Sequence, residues 1–234
     1  MELVAIHLQR WKSLREVISL SEERRLIIAG AGGHGKVVAD IAQKMNRYTR
    51  IVFLDDNEKV ENVLGYPVVG TMKFSDFQKE TDEVIVAVGN AQVRKKLQNQ
   101  YEKMGVQIAT LIHPKAIIGT NVVIGVGTVV MAGTVINCET NIGKGNIINT
   151  SASVDHECIT DEFVHISVGT HLCGNVHVGA RCWIGAGSIV SNNIEICSDC
   201  MIGAGAVVVN NIEVSGTYVG VPAKAIKYLD GEKR

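Results

Sequence analysis

The chain has 234 residues, of which 46% are hydrophobic but only 5% aromatic, and its formal net charge is −1 at pH 7. This length suits one or two domains with a substantial core, and the composition suits a core built mainly from Val and Ile. Without a basic block the chain is not expected to bind nucleic acid. No segment is long and apolar enough to predict a membrane span.

Residues 1–24 precede the first predicted strand and carry apolar side chains near helical spacing, among them Leu8, Trp11 and Leu14. One interpretation is an amphipathic helix that docks on a partner or a membrane. The other, which we favour, is an extension that packs on its own domain. The stretch lacks the uninterrupted apolar core of a signal peptide, so we treat it as an N-terminal extension.

Over residues 25–113, strands alternate with helices, which predicts a Rossmann-like α/β domain with a small parallel sheet. Buried strands are expected at 26–30, 50–55, 82–88 and 107–112. Asn90 can cap a helix whose core face is predicted to consist of Val93, Leu97, Tyr101 and Met104. Ligands of such sheets bind at the carboxyl ends of the strands.

A glycine-rich turn, Gly30-Ala-Gly-Gly-His-Gly35, joins the first strand to a helix. The turn fits the dinucleotide fingerprint, with Asp55 at the position of the ribose-binding acid. It also fits most of a P-loop. Val37 stands where a P-loop needs a magnesium-binding Ser or Thr, and the sheet is short for a whole dinucleotide. Both motifs present backbone N–H groups to an anion. We therefore predict the diphosphate end of a nucleotide substrate here, the alternative being a turn that only connects strand and helix.

From Ile118 to Val214 every sixth residue is aliphatic, with Thr160 as the one exception. Because a helix repeats near 3.6 residues, this period predicts a solenoid of short parallel strands, three hexads to a coil, with the aliphatic column inside. Four residues after each aliphatic residue of this column, the side chain is often small. At five such positions the residue is branched and apolar, which suggests faces or coils shaped by packing and favours association between subunits: Val122, Val164, Val176, Ile194 and Ile212.

A polar cluster interrupts the solenoid around His156, which lies between Asp155 and Glu157. A carboxylate on one ring nitrogen fixes the tautomer and raises the basicity of the other, which suits a general base. His165 is half a coil away and cannot stack on His156 within one subunit. No histidine or cysteine spacing is typical of a metal site, so we expect no metal. Six cysteines within the solenoid favour a reducing, cytoplasmic compartment.

Five segments carry a more specific resemblance: GAGGHGKVVADIA (30–42), FLDD (53–56), VGN (88–90), NTSASVDHECITDEFVHISVG (149–169) and VGVPAKAIK (219–227). Together they resemble the bacterial nucleotide-aminosugar N-acetyltransferases, hexapeptide-repeat enzymes whose family is also known for sialic-acid O-acetylation. The resemblance covers about residues 25–228. It implies a left-handed parallel β-helix over 114–228 as the acetyl-CoA-binding catalytic domain, followed by a tail at 229–234.

The resemblance also implies the chemistry: acetyl-CoA acetylates the 4-amino group of a UDP-4-amino-4,6-dideoxy sugar in a pathway to bacillosamine-type glycans. It implies a homotrimer with the active site at the subunit boundary. His156 matches the family's base, Glu157 the acid that strengthens it and Asn149 a supporting group. The positions that match the acetyl-CoA site are His165, Gly174, Ala186 and Ala204, and those that match the nucleotide-sugar site are Gly32, Gly33, His34, Asp55, Asp56 and Gly89.

Acyl transfer to an amine needs a base and a donor for the oxyanion, and no Ser or Cys with a neighbouring His indicates a covalent route. Direct attack is therefore the simpler mechanism. Other acceptors remain open: a sugar hydroxyl, as in sialic-acid O-acetylation, or an amine on a GDP- or dTDP-linked sugar. A non-catalytic alternative is a solenoid assembly protein whose first domain senses a nucleotide.

Overall fold

The computed structural model describes residues 24–226 and shows an α/β unit followed by a parallel β-helix. The α/β unit has a six-stranded sheet in the order β3-β4-β2-β1-β5-β6. Its elements are β1 (Arg25–Ala29), α1 (Gly33–Met45), β2 (Arg50–Leu54), β3 (Asn62–Val63), β4 (Tyr66–Gly70), β5 (Asp82–Val86), α2 (Ala91–Lys103) and β6 (Gln107–Ile108). All pairs in this sheet are parallel except β3 with β4.

The β-helix has three sheets, one for each face of the prism. The first face consists of β7 (Leu111–Ile112), β10 (Val129–Val130), β13 (Ile147–Ile148), β16 (His165–Ile166), β19 (Trp183–Ile184), β22 (Met201–Ile202), β24 (Thr217–Val219) and β25 (Lys224–Ala225). The second consists of β8 (Ile117–Ile118), β11 (Val135–Ile136), β14 (Ser153–Val154), β17 (His171–Leu172), β20 (Ile189–Val190) and β23 (Val207–Val208). The third consists of β9 (Val123–Ile124), β12 (Asn141–Ile142), β15 (Ile159–Thr160), β18 (His177–Val178) and β21 (Glu195–Ile196).

The six-residue period therefore predicted the solenoid correctly. The second residue of each strand points inward, and from Val130 to Val208 these residues are at most 3% exposed. Thr160 keeps its place in the column because Asn146 donates a hydrogen bond to its hydroxyl at 2.6 Å. The column ends earlier than expected, since Val214 is 70% exposed.

Of the two interpretations of the branched apolar positions, the structure supports coils shaped by packing and not outer faces. Val164, Val176, Ile194 and Ile212 are buried in the same core cluster as the aliphatic column, and Val122 packs against it. They fill the inside of the prism where neighbouring coils use Thr, Ser, Ala or Cys. These residues therefore say nothing about association between subunits.

The helix α2 also differs from the prediction, because its buried face is polar. Arg94, Gln98 and Tyr101 are buried, whereas Val93 is 43% exposed. The helix has two neighbours rather than one: Tyr101 packs with the sheet, while Arg94 and Gln98 donate hydrogen bonds to carbonyl groups of the solenoid. Because α2 packs against both the sheet and the solenoid, its buried residues cannot be read from a single apolar stripe in its sequence.

The α/β unit and the solenoid share an apolar core. One buried cluster contains residues of β1 and α1, such as Ile28, Val38 and Ile41, together with Leu111, Val129 and Ile147 on the first face of the prism. The predicted strand 107–112 is in fact two strands: β6 pairs with β5, and β7 pairs with β10. No helix within residues 24–226 has the length and hydropathy to cross a membrane.

Candidate active site

The glycine turn lies between β1 and α1, at the carboxyl edge of the sheet. Gly30 has φ +123°, and a Cβ at Gly35 would lie 1.9 Å from the Gly30 carbonyl oxygen, so side chains are excluded at both positions. Nothing lies within 4 Å of a Cβ built on Gly32 or Gly33. No side chain caps the first turn of α1. The turn is thus closed on the protein side and open on the other, as an anion site requires.

The two aspartates after β2 hold backbone groups at the same edge. Asp55 accepts hydrogen bonds from the N–H groups of Ala31 and Asn57, each at 2.8 Å. Asp56 accepts one from the N–H of Met72 at 2.9 Å. Asp55 therefore fixes the position of the glycine turn. Direct contact of either carboxylate with a nucleotide stays a prediction.

His156 lies at the corner between the second and third faces of the prism. Its Nδ1 lies 2.9 Å from Glu157 Oε2. Asp155 does not contact the ring: it accepts hydrogen bonds from the backbone N–H of His156 at 2.8 Å and from the Asn137 side chain at 2.7 Å. These bonds lower the pKa of Asp155, the Asn137 bond contributing most. Of the two flanking carboxylates, only Glu157 is placed to orient the imidazole.

Gly174 lies directly beside the His156 ring, one coil further on. A Cβ there would lie 2.5 Å from both Cε1 and Nε2 of His156. The N–H of Gly174 donates to no acceptor among residues 24–226. The unbonded nitrogen of His156 and a free backbone donor are therefore neighbours. The two residues are 18 positions apart, which is one coil of three hexads, so the predicted repeat places Gly174 next to His156.

A second group of predicted residues lies where the first face of the prism meets the α/β unit. Asn149 Nδ2 is 3.1 Å from His165 Nε2, and the Asn149 amide oxygen accepts the N–H of Thr150 at 2.8 Å. With the amide oriented in this way, His165 Nε2 is an acceptor and its Nδ1 carries the proton. That Nδ1 is buried without a partner among the described residues.

His165 and His34 are both kept neutral by their surroundings. Burial, together with the positive charge of Arg94, lowers the pKa of His34 to about 4. Burial likewise lowers the pKa of His165 to about 3, with smaller contributions from Arg94 and His34. His34 Nε2 also lacks a hydrogen-bond partner within residues 24–226. These two imidazoles are therefore neutral donors or acceptors for a ligand rather than acids.

A cavity of about 420 Å³ lies beside His165, between the start of α2 and the solenoid. It is lined by Gly89, Asn90, His165, Trp183 and Met201, among others. The Trp183 ring lies 4.6 Å from the His165 ring between centroids. The sequence analysis missed Trp183, although it lies exactly one coil after His165 and so shares its outward column.

The predicted site residues thus form two groups in one chain. The first group lies on the first face and in the α/β unit and consists of Gly32, Gly33, His34, Gly89, Asn149 and His165. The second group lies at the far edge of the second face and consists of His156, Glu157 and Gly174. Ala186 and Ala204 stack on each other at the corner between the first and second faces, where Gly205 N–H donates to the Ala186 carbonyl. One chain alone does not join the two groups.

No group of three or more His, Cys, Asp or Glu side chains within residues 24–226 could hold a metal ion. All six cysteines are free thiols. Cys197 and Cys200 lie with their sulfur atoms 3.5 Å apart. The remaining solenoid histidines pair with side chains at the surface, His171 with Ser153 and His177 with Asp161.

A parallel β-helix of hexapeptide coils with a His–carboxylate pair at a corner defines the class of hexapeptide-repeat acyltransferases. Two family models match the chain: the PglD N-terminal domain over residues 25–101 and the bacterial transferase hexapeptide (six repeats) over residues 175–210. The acetyltransferase domain of PglB from Neisseria gonorrhoeae, in one solved structure bound to acetyl coenzyme A, is 41% identical. The match covers 87% of this chain and 100% of that one, with a TM-score of 0.85.

A variant of perosamine N-acetyltransferase from Caulobacter crescentus, solved in complex with CoA and GDP-perosamine, is 34% identical. That match covers 87% of this chain and 97% of the other, with a TM-score of 0.81. GDP-perosamine N-acetyltransferase of Escherichia coli O157:H7 is 26% identical over 168 residues, 70% of this chain and 76% of the relative. The chain belongs to this family of hexapeptide-repeat sugar-nucleotide N-acetyltransferases, as the sequence motifs indicated.

Proposed function

We propose that the protein transfers the acetyl group of acetyl-CoA to the 4-amino group of a UDP-linked 4-amino-4,6-dideoxy sugar, with His156 as the general base. The observation that carries this proposal is the arrangement of His156: Nδ1 lies 2.9 Å from Glu157, and Nε2 faces the bare backbone of Gly174. Family membership supports the acetyl donor and the sugar-nucleotide acceptor. The assignment of His156 as the general base and of a UDP-linked acceptor goes beyond family membership and is part of our proposal.

Glu157 accepts a hydrogen bond from the N–H at Nδ1 of His156, so that the proton stays on Nδ1 and the lone pair is on Nε2. A carboxylate in that position also stabilises the imidazolium that forms during the reaction. Because Gly174 has no side chain, the His156 ring can lie directly against its backbone. The free N–H of Gly174 is then placed to donate to the thioester carbonyl oxygen as negative charge develops on it.

The reaction proceeds by direct attack. The amine nitrogen of the sugar bonds to the thioester carbon, and His156 Nε2 takes a proton from that nitrogen. The C–S bond breaks as the tetrahedral intermediate collapses, and the coenzyme A thiolate leaves and takes up the proton. No covalent enzyme intermediate is needed, since no Ser or Cys hydrogen-bonds to His156 in the described residues.

The α/β unit, which we assign to residues 25–113, is proposed to hold the nucleotide sugar, and the solenoid, residues 114–228, the acetyl-CoA and the chemistry. The open side of Gly32 and Gly33 at the start of α1 suits the diphosphate. His165, Ala186 and Ala204 are proposed to line the path of the coenzyme. The relatives that bind GDP-perosamine make a GDP-linked amine the first alternative acceptor.

We further propose a homotrimer in the cytoplasm. The two groups of site residues lie on different faces of one prism, so a neighbouring subunit is needed to bring them together. The second and third faces also carry outward apolar side chains, of which Ile117, Val123 and Ile159 are 44–64% exposed. The free thiols at all six cysteines fit a reducing compartment.

Kinetics of His156→Ala test the general base. We expect a fall in kcat on the order of 10²–10⁴ with little change in KM for acetyl-CoA, because only proton removal is lost. His177→Ala is a matched control, since His177 also pairs with a carboxylate on the solenoid, Asp161, at 3.0 Å. Activity of His156→Ala within threefold of wild type, or an equal loss in the control, contradicts the assignment.

A further inference from the structure

Arg94 is a fully buried cation whose hydrogen-bond partners are all backbone carbonyl groups. Its guanidinium donates to Val88 O and Gly89 O at 2.8 Å, to Gly145 O at 2.7 Å and to Phe163 O at 2.9 Å. It forms no ion pair with a carboxylate in the described chain. Burying a charge against neutral partners is costly, so packing alone is a poor reason for an arginine here.

The bonds to Val88 and Gly89 determine where the next two N–H groups point. Both peptide bonds that follow these carbonyls are trans. In a planar trans peptide the C=O and the N–H point in opposite directions. Since Arg94 holds both carbonyls on its own side, the N–H groups of Gly89 and Asn90 point away from it. Neither has an acceptor within residues 24–226, and both residues line the 420 Å³ cavity.

The other two bonds connect this turn to the opposite wall of the same cavity. Phe163 lies two residues before His165, whose side chain is 9% exposed and whose Nδ1 is unpartnered. One guanidinium thus fixes the Gly89 turn and the backbone next to His165 relative to each other. The result is a pair of backbone donors on the α/β unit, held across one cavity from His165 of the solenoid.

We propose that Arg94 is a positioning residue for the acceptor substrate: it orients the N–H groups of Gly89 and Asn90 across the cavity from His165, where these two N–H groups bind oxygen atoms of the nucleotide sugar. Phosphate, hydroxyl and amide carbonyl oxygens are all acceptors of this kind. This inference rests on the proposed function, because it assigns the cavity to the sugar nucleotide. Arg94 itself does not touch the substrate, since it is 1% exposed and four of its five N–H groups donate to backbone carbonyls.

The decisive variants are Arg94→Lys and Arg94→Met, with Gln98→Leu as the matched control. Lys keeps the charge but lacks the planar fork that holds several carbonyls at once. Gln98 is equally buried on the same helix and bonds the solenoid at Val126 O, but it does not touch the Gly89 turn. Gln98→Leu therefore loosens the same interface without moving the proposed donors.

We expect both Arg94 variants to raise KM for the nucleotide sugar about tenfold or more, because misdirected donors lose binding that is present in ground and transition states alike. KM for acetyl-CoA should stay within twofold. Gln98→Leu should lower Tm while both KM values stay within twofold. Calorimetry with UDP as the probe should show weaker binding by both Arg94 variants than by wild type or Gln98→Leu.

A nucleotide-sugar KM of Arg94→Lys within twofold of wild type overturns the inference, as does an equal rise in Gln98→Leu, which indicates a merely structural role. If the Met variant does not fold, the Lys variant decides. If the wild-type protein acetylates no nucleotide-linked amino sugar, the proposed function fails and this inference fails with it. If wild type is active and Arg94→Lys matches it, only the inference fails.

Discussion

Replacing Gly174 by Ala tests how closely the chemistry depends on the position of His156. The added Cβ would lie 2.5 Å from Cε1 and Nε2 of the ring, well inside contact distance. The His156 side chain is 49% exposed, so it can rotate away at little cost in stability. A displacement of the base by about 1 Å costs on the order of 10² in rate, equivalent to about 2.7 kcal/mol of transition-state stabilisation. We expect kcat to fall by about that factor while the protein stays folded.

The assay is release of free thiol from acetyl-CoA with saturating acceptor, together with Tm by thermal unfolding. Gly216→Ala is the control, because a Cβ there meets only Tyr218 at 3.7 Å, an ordinary contact. Both variants should show similar Tm, and only Gly174→Ala should lose activity. If Gly174→Ala keeps kcat within threefold of wild type, the proposed relation between Gly174 and the base is wrong.

Glu157→Gln should lower kcat about tenfold, less than loss of His156, because it removes the charge that strengthens the base but leaves the proton acceptor; an unchanged kcat would exclude that role. Since the folded-state pKa values of His34 and His165 lie at about 4 and about 3, below the ordinary 6.5, the unfolded chain binds more protons as the pH falls. The stability that the neutral imidazoles contribute is complete above about pH 6.5. It is lost as the pH falls towards about 4 for His34 and about 3 for His165, at up to about 1.4 kcal/mol per pH unit for each. Urea unfolding at pH 5 and 7.5 should therefore show a smaller pH effect in His165→Gln than in wild type or in the surface control His171→Gln, and equal slopes would contradict this. Light scattering at micromolar concentration should report three times the mass of the 25.2 kDa chain, whereas a fully active monomer would refute the trimer.

The fold was predictable because the solenoid repeats one requirement, an inward aliphatic residue, in every hexad. Errors arose where a residue's neighbours come from elsewhere in the chain. The branched side chains of Val164 and Ile194 suggested association between subunits, but they fill the inside of the prism. Leu111 was assigned to the α/β sheet, but it pairs with Val129 of the solenoid. Pairing over such separations leaves no local signal in a two-residue strand.

The candidate site was predictable to the level of motifs and no further. The glycine turn and the His156–Glu157 pair lie in contiguous sequence, so their residue types suggest their chemistry. Arg94 gave no such signal, because it lies on a helix whose pattern favoured Val93 as a core residue. Its partners belong to the turn just before that helix and to two distant turns of the solenoid. The role of Asp55 in holding Ala31 N–H was likewise not visible, since an acid after a strand also suits a ribose.

The most direct test of the account is incubation of wild-type protein with acetyl-CoA and a UDP-linked 4-amino sugar, beside the same UDP-sugar with a 4-hydroxyl group and the GDP-linked amine. Mass spectrometry and NMR of the products identify the acetylated atom. The account predicts one acetyl group on the amine nitrogen of the UDP-linked amino sugar, at a rate that falls at least 100-fold in His156→Ala. Acetylation of the hydroxyl compound at an equal rate, or of neither amine, would contradict it.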